Sequence, residues 1–431
     1  MIEGWEEVKF GDVVQFPPRI KMVKGKIYPF IPMENLDSGI KYVKPIIEKE
    51  LQGGGAKFEE GDTLFSRITP CLQNGKIAQA IELDGKPGFG STEYFVFRGI
   101  KNKTDTDFIY YLSKSQWFKG NAENSMVGSS GRQRADAGFV RNLKINLPPL
   151  KTQRKIASIL SAYDDLIENN LKRIKLLEEQ AQQTYEEWFV RFKFPGYEDV
   201  GIDEVTGLPV GWDKVKLVDC CHLVMGQSPK SEFYNFEKRG LPFHQGVKDY
   251  GFRFPTNSSW STQGNRIAEE DSILFSVRAP VGRLNVAIEK IIIGRGLASI
   301  NHKKGWNGFL LYQLQNIFYE DNLMGGGAIY NSVTKRDVER IEIIQATKEI
   351  NIKFNEISSN IDKQIKNLTK QNQLLKEARD ILLPRLMGGM IDVEDLEVKD
   401  EVKRYGVDDY LEMEGELGQV AEKGFEYNNK K

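Results

Sequence analysis

The stretch INLPPLKTQRKIASILSAYDDLI (145–167) changes its period halfway along, and that change decides the architecture. Upstream of it, residues 142–147 alternate polar and apolar side chains, as a half-buried strand does. Pro148 and Pro149 end that strand, because neither offers an N–H to a ladder. They stand where a helix start tolerates the loss. Beyond them, spacings of four and three alternate through Ile156, Leu160, Tyr163, Ile167, Asn170, Ile174, Leu177, Ala181, Thr184 and Trp188. That is a heptad seam sustained for more than four heptads. Residues 152–192 as one helix would span about 60 Å, at about 1.5 Å per residue.

The pattern occurs twice. GWEEVKFGD (4–12) returns as GWDKVKLVD (211–219), and EEGDTLFSRITP (59–70) returns as EEDSILFSVRAP (269–280). GKIAQA (75–80) becomes GRLNVA (282–287), and DFIYYLSKSQWF matches GFLLYQLQNIF. The helical parts align at a constant shift of 198, with Ile156 on Phe354, Asp164 on Asp362 and Leu177 on Leu375. The second seam is Phe354, Ser358, Ile361, Ile365, Leu368, Asn372, Leu375, Arg379, Leu382 and Leu386, free of proline until Pro384. A period near 200 is too long for a solenoid and marks two copies of one module. The globular part of each copy has short β-rich runs (TLFSRI, KIAQAIEL and EYFVFRGI; SILFSV, RLNVAIE and LASINH), one helix and a last strand.

The fold expected is α+β: two similar α+β domains separated by two long helices packed as an antiparallel coiled coil. A lone helix with such a stripe would leave too much apolar surface in water, so the two should pack on each other. The boundaries expected are 1–149 for the first domain, 150–193 for the central helical spacer and 194–210 for a linker. The second domain follows at 211–346, the C-terminal helical spacer at 347–390 and an acidic tail at 391–431. Antiparallel helices bring Asn170 and Asn372 to one level. They either pair and fix the register or both face water.

Composition and motifs exclude most other classes. No apolar run reaches the roughly 18–20 residues of a membrane span, and MIEGWEEVKF is no signal peptide, so a cytoplasmic protein is expected. Cys71, Cys220 and Cys221 make no disulfide framework. Cys220 and Cys221 read as part of a strand, with side chains on opposite faces, rather than as a zinc knuckle. There is no GxxxxGK[ST] loop, no acid–base constellation and no metal cluster, so no catalytic residue is expected. Adenine methyltransferases grip the target base with Asn-Pro-Pro-Tyr. Here Leu147 separates Asn146 from the prolines and Leu150 replaces the aromatic residue, so Pro148-Pro149 is a mechanical junction. Net charge is −1, but residues 392–431 carry 13 acidic and 6 basic side chains, which leaves about +6 on the rest. A local basic excess fits a DNA binder.

Two related domains held apart by a rod suit two successive major grooves, about 34–36 Å apart. The candidate readers lie in polar loops. In GSSGRQRADAG, Arg132 and Arg134 can fork onto guanine and Gln133 onto adenine. At the same place the second copy has Tyr330, Asn331, Ser332, Thr334 and Lys335. The loop GQSPKSEFYN (226–235) offers Gln227, Ser228, Lys230, Tyr234 and Asn235. Arg67 and Arg278 end equivalent strands and could serve base, phosphate or salt bridge. Arg19, Lys21 and Lys24 suit the DNA backbone.

The chain resembles the DNA-specificity subunits of Type I restriction–modification enzymes. The resemblance rests on the GW-x-x-V-K opening of each half, the LFS block, the LPPL-x-x-Q-x-x-IA helix start, the GQSP loop and the RQR loop. It covers nearly the whole length, although the second helix start lacks the Pro-Pro pair. The resemblance implies a non-catalytic subunit with two target-recognition domains, a bipartite asymmetric DNA site and two methyltransferase subunits docked on the helices. The helices around Ile156, Tyr163, Leu177, Trp188, Phe354, Ile361, Leu375 and Leu386 would carry that docking. S-adenosylmethionine would bind the methyltransferase partner, and ATP and Mg a motor–nuclease partner; none would bind this chain. The competing readings are a free-standing two-domain DNA-binding regulator and a coiled-coil scaffold that does not act on DNA.

Overall fold

The computed structural model describes residues 4–129, 131–318 and 332–394. Its contacts divide it into two compact units: Met1–Asn170 with Gln371–Lys431, and Leu171–Lys370. Each unit therefore holds one globular domain and a stretch of both long helices.

In the first unit, Glu6–Lys9 pairs antiparallel with Lys144–Leu147 beside the start of the first long helix, Leu150–Tyr185. Pro148 and Pro149 fill the two places between strand and helix. A buried Gln153 stitches the junction, its amide donating to Pro148 O and its carbonyl accepting from Asp105 N. The five-stranded sheet places Tyr94–Gly99 beside Thr63–Ser66, followed by Ile77–Ala80. Thr63–Ser66 is buried at every position, because both sheet faces are covered. Phe65, Phe95 and Phe97 pack on one side and Leu64, Val96 and Ala78 on the other. A four-stranded sheet of Ile27–Ile31, Ile47–Glu50, Ala56–Phe58 and Gly88–Gly90 completes the domain. The aromatic helix breaks in two, Thr106–Lys114 and Gln116–Asn124, because Ser115 caps the second by accepting from Phe118 N.

The second unit repeats this frame. Asp213–Lys216 pairs with Glu342–Gln345, and Ile273–Ser276 lies between Leu297–His302 and Leu284–Val286. The registers coincide: Ser66 faces Tyr94 as Ser276 faces Leu297, and Phe65 faces Ile77 as Phe275 faces Leu284. One helix, Asn307–Ile317, packs on the sheet.

The two long helices, Leu150–Tyr185 and Lys348–Met387, run antiparallel inside each unit. In the first unit Asn170 meets Asn372 and Asp164 meets Arg379. In the second, Tyr185 packs on Phe354 with ring centroids 5.9 Å apart. Both seams face inward, and Ile156, Leu160, Ile167, Ile174, Phe354, Ile361, Ile365 and Leu386 are buried. The asparagines pair: Asn170 Nδ2 donates to Asn372 Oδ1 at 2.9 Å, and both residues are buried. The seam departs from its heptads at one end. Tyr185 and Phe189 are fully buried, whereas Thr184 and Trp188 are half-buried. A 3.6-residue turn drifts against a seven-residue repeat, and a π-helical turn at Glu186–Val190 adds to the drift.

One local expectation needs correction. Cys220 ends the short helix Leu217–Cys220 and Cys221 begins the strand Cys221–Met225. The helix-to-strand junction turns both thiols to one side, with their sulfurs 3.6 Å apart, rather than to opposite faces. The acidic tail beyond Glu394 lies outside the described residues. Among the described residues no helix is long and apolar enough to cross a membrane.

Candidate nucleic-acid interface

The last residues of the central strand and the loops beside it gather the candidate readers in each unit. In the first unit Arg67 N donates to Glu93 O at 2.9 Å and Ala135 N donates to Arg67 O at 2.8 Å. These bonds bring the RQR loop, the strand end and Glu93 to one corner. The Arg134 backbone is fixed there, exchanging hydrogen bonds with Val127 and bridging Ile68. Its guanidinium is held by Glu93, with Nη2 to Oε1 at 2.7 Å and Nε to both oxygens at 2.9 Å. Gln133 is tied by its backbone to Thr69, whereas Arg132 is exposed in the turn. Beside the corner runs a groove of about 420 Å³, walled by Phe16, Phe95, Lys57, Arg67 and Arg141. Arg67 lies over the Phe95 ring and Arg141 over the Phe16 ring, each 4.9 Å from the centroid. Cations on an apolar floor fit a planar, anionic guest such as a nucleotide. Arg19, Lys21 and Lys24 are exposed in the segment that leads into Ile27–Ile31.

In the second unit three tight turns converge. A Cβ on Gly226 would lie 2.2 Å from Gly294 O, and one on Gly296 would lie 2.6 Å from Gln245 O. Only glycine lets these backbones approach so closely. The turns present Gln227, Ser228, Gln245 and Arg295, and Ser228 Oγ donates to Gln245 Oε1 at 3.0 Å. Arg278, exposed, lines a cavity of about 140 Å³ with Gln245, Val247 and Gly296.

Several sequence-selected residues change role. Asn235 is buried, its amide donating to Arg239 O at 2.8 Å and its oxygen accepting from Arg239 N at 2.9 Å. It closes a loop and has no edge left for a base. Tyr234 stacks on Phe243 at 4.7 Å, with its hydroxyl on Pro229 O. Thr334 caps the helix Lys335–Glu339 through a capping box with Asp337, and Lys335 pairs with Glu339 on that helix. Lys230 is exposed, 3.8 Å from Glu232. Arg67 and Arg278 are not counterparts. Val277 N donates to Gly296 O and Val333 N to Val277 O, so Val277 occupies the place of Arg67. Arg278, one residue on, projects from the opposite side of the extended chain. Tyr330 and Asn331 lie outside the described residues. Glu93, Gln245 and Arg295 were not singled out from the sequence. The signal for the first was the repeat itself, which sets Glu93 against Gly296.

Two copies of one α+β frame, each with a basic or amide-rich loop corner and half of a helical seam, define a two-domain specificity protein. The family of Type I restriction modification DNA specificity domains matches residues 2–179 and 209–377, once per copy. The chain belongs to that family, whose members are non-catalytic specificity subunits of Type I restriction–modification systems. It is 32% identical over 409 residues to the putative type I restriction enzyme MjaX specificity subunit of Methanocaldococcus jannaschii, covering 91% of this chain and 94% of that one. It is 29% identical over 320 residues to the MjaIX specificity subunit of the same organism, covering 70% and 73%. The solved S subunit of the Type I system from M. genitalium shares the fold. Its TM-score is 0.55 at 16% identity, over 89% of this chain and 96% of that one.

Proposed function

We propose that each globular domain reads one short part of a bipartite, asymmetric duplex site and that the helices dock the methyltransferase subunits that modify it. The observation that carries this reading is the identity of the two backbone frames beside the difference of their corners. Arg67, Glu93 and Arg134 in one copy stand where Val277, Gly296 and Ser332 stand in the other. One scaffold with two sets of side chains suits two different half-sites. Gln227, Ser228, Gln245, Arg278 and Arg295 are the second set. Arg19, Lys21, Lys230 and Lys335 are assigned to phosphates, which position a protein without selecting sequence.

The partner surface differs from the seam residues named from the sequence. Ile156, Phe354, Ile361 and Leu386 are buried in their own units and cannot touch a partner, and Tyr163, Leu177, Trp188 and Leu375 are half-buried. Exposed apolar side chains on the outer helix faces take over that assignment. They are Leu166, Leu374 and Ile381 in the first unit, and Leu176, Ile352 and Ile357 in the second. S-adenosylmethionine belongs to the methyltransferase partner, and ATP with Mg to a motor–nuclease partner.

Co-expression with the cognate methyltransferase in a host free of adenine methylation, followed by single-molecule sequencing, tests the reading. A split N6-methyladenine motif with a fixed unread gap, absent without this chain, is the expected result. No new methylation from a soluble, co-purifying complex would transfer the assignment to a regulator or scaffold.

A further inference from the structure

The corner formed by Arg67, Glu93 and Arg134 holds a carboxylate where a DNA-binding surface ordinarily avoids one. Glu93 grips Arg134 along one edge of the guanidinium, through Nε and Nη2. The end-on edge, Nη1 with the outer hydrogen of Nη2, faces away from that grip. The Arg134 side chain is 43% exposed, and its bonds to Glu93 use Nε and Nη2 and leave Nη1 out of the grip. Its backbone is pinned to Val127 by bonds of 3.0 and 2.9 Å, so the fork stands on a rigid ladder rather than a swinging loop. Arg67 flanks the same carboxylate, Nε to Oε2 3.8 Å, and lies over Phe95.

A carboxylate this close repels phosphates, so the pair favours a base edge over the DNA backbone. Two parallel N–H donors match O6 and N7 of guanine in the major groove. Building on the function proposed above, we propose that Arg134 reads one guanine of the first half-site through its end-on edge and that Glu93 is the residue positioning it. The other copy has Gly296 and Ser332 at these places, and its half-site is read by different groups.

The test uses the complete complex with its methyltransferase subunits and maps methylation for the unaltered chain, R134K and E93Q. Lysine keeps the charge but loses the fork, and glutamine keeps the shape but loses the ion pair. With R134K, one guanine position should become degenerate, with discrimination falling about ten-fold or more, while the other half-site stays sharp. E93Q should relax the same position by less. An unchanged motif in R134K, or relaxation at a position that is not a G·C pair, would overturn the reader. Relaxation in R134K with E93Q indistinguishable from the unaltered chain would overturn the positioning role. A uniform loss of methylation at all sites would assign the pair to phosphate contact or to structure and overturn both. A failure of the function itself looks different: the unaltered complex would then give no split motif at all.

Discussion

Asp164 and Asp362 hold the same place in the two copies, 198 residues apart, yet different parts of the chain neutralise them. In the first unit Asp164 and Arg379 pair across the two long helices, both about 1% exposed, and Tyr111 donates its hydroxyl to Asp164 at 2.6 Å. In the second unit the counterpart of Arg379 is Ala181, which is too small and apolar to help. Arg253, from a loop of the globular domain, fills the role by pairing with Asp362 and lying 3.5 Å from Glu178. Arg253 O accepts from Val286 N just as Lys41 O accepts from Gln79 N, so Arg253 and Lys41 are counterparts. Lys41 reaches Asp107 at 3.1 Å and Ser161 at 2.7 Å. A buried carboxylate demands a cation, but the frame does not dictate which element supplies it. One copy uses the pair to tie helix to helix, the other to tie domain to helix.

Removing the cation should expose that difference. R379M should cost about 3–5 kcal/mol, because it strands a fully buried Asp164. R253M should cost less, although Glu178 loses its cation too, because the Asp362 side chain is 28% exposed and water can reach it. Urea unfolding of the purified chain measures both. Equal losses would break the comparison, because exposure would then have no weight. The double variant D164L with R379M should recover most of the loss, since well-packed apolar groups often replace a buried pair without penalty.

The seam was legible in the sequence because a helical period is a local property, carried by residues three and four apart. The repeat was legible because its blocks survive as words. Asn235 looked like a reader because polarity is local whereas burial is not; its loop closure through Arg239 is visible only once the chain folds back. The corner of Arg67, Glu93 and Arg134 draws on three segments that meet only in the sheet, so spacing could not join Glu93 to the RQR loop. Arg67 and Arg278 share a residue type but not a position in the repeat. The aligned words LFSRITP and LFSVRAP already place them one residue apart, and in an extended chain one residue changes the face.

The seam also differs between the units in a way that costs less to probe. The Asn170–Asn372 pair has as its counterparts Leu368 and Ile174, both buried. The polar layer occurs once, so it distinguishes one half of the seam from the other. N170L should destabilise the first unit by about 1–3 kcal/mol, because Asn372 Oδ1 loses its donor in a buried site. N170L with N372L should restore stability, and the helices should then tolerate a shifted register. Cysteine crosslinking of exposed helix positions reads that shift. A double variant as unstable as the single would mean the pair carries packing rather than register.

The smallest effect separates the units by pH. His244 is fully buried in the second unit, at the place where the first unit has Ile31, likewise fully buried. Burial pushes the His244 imidazole below its usual 6.5, and Asn257 at 2.9 Å opposes that only in part. The unfolded chain therefore takes up a proton that the folded one refuses. Stability contributed by the neutral ring is fully present above about pH 6.5 and falls as pH drops from there toward the lowered folded value. The slope for one proton is at most about 1.4 kcal/mol per pH unit. Hydrogen exchange corrected for intrinsic rate at pH 7.5 and 5.5 should show extra opening in Leu241–His244, the strand that carries the imidazole in the second unit, and none in Ile27–Ile31 of the first. H244N should remove the difference. Equal acid sensitivity of the two strands in the unaltered chain would place the proton elsewhere and leave the two copies alike in this respect.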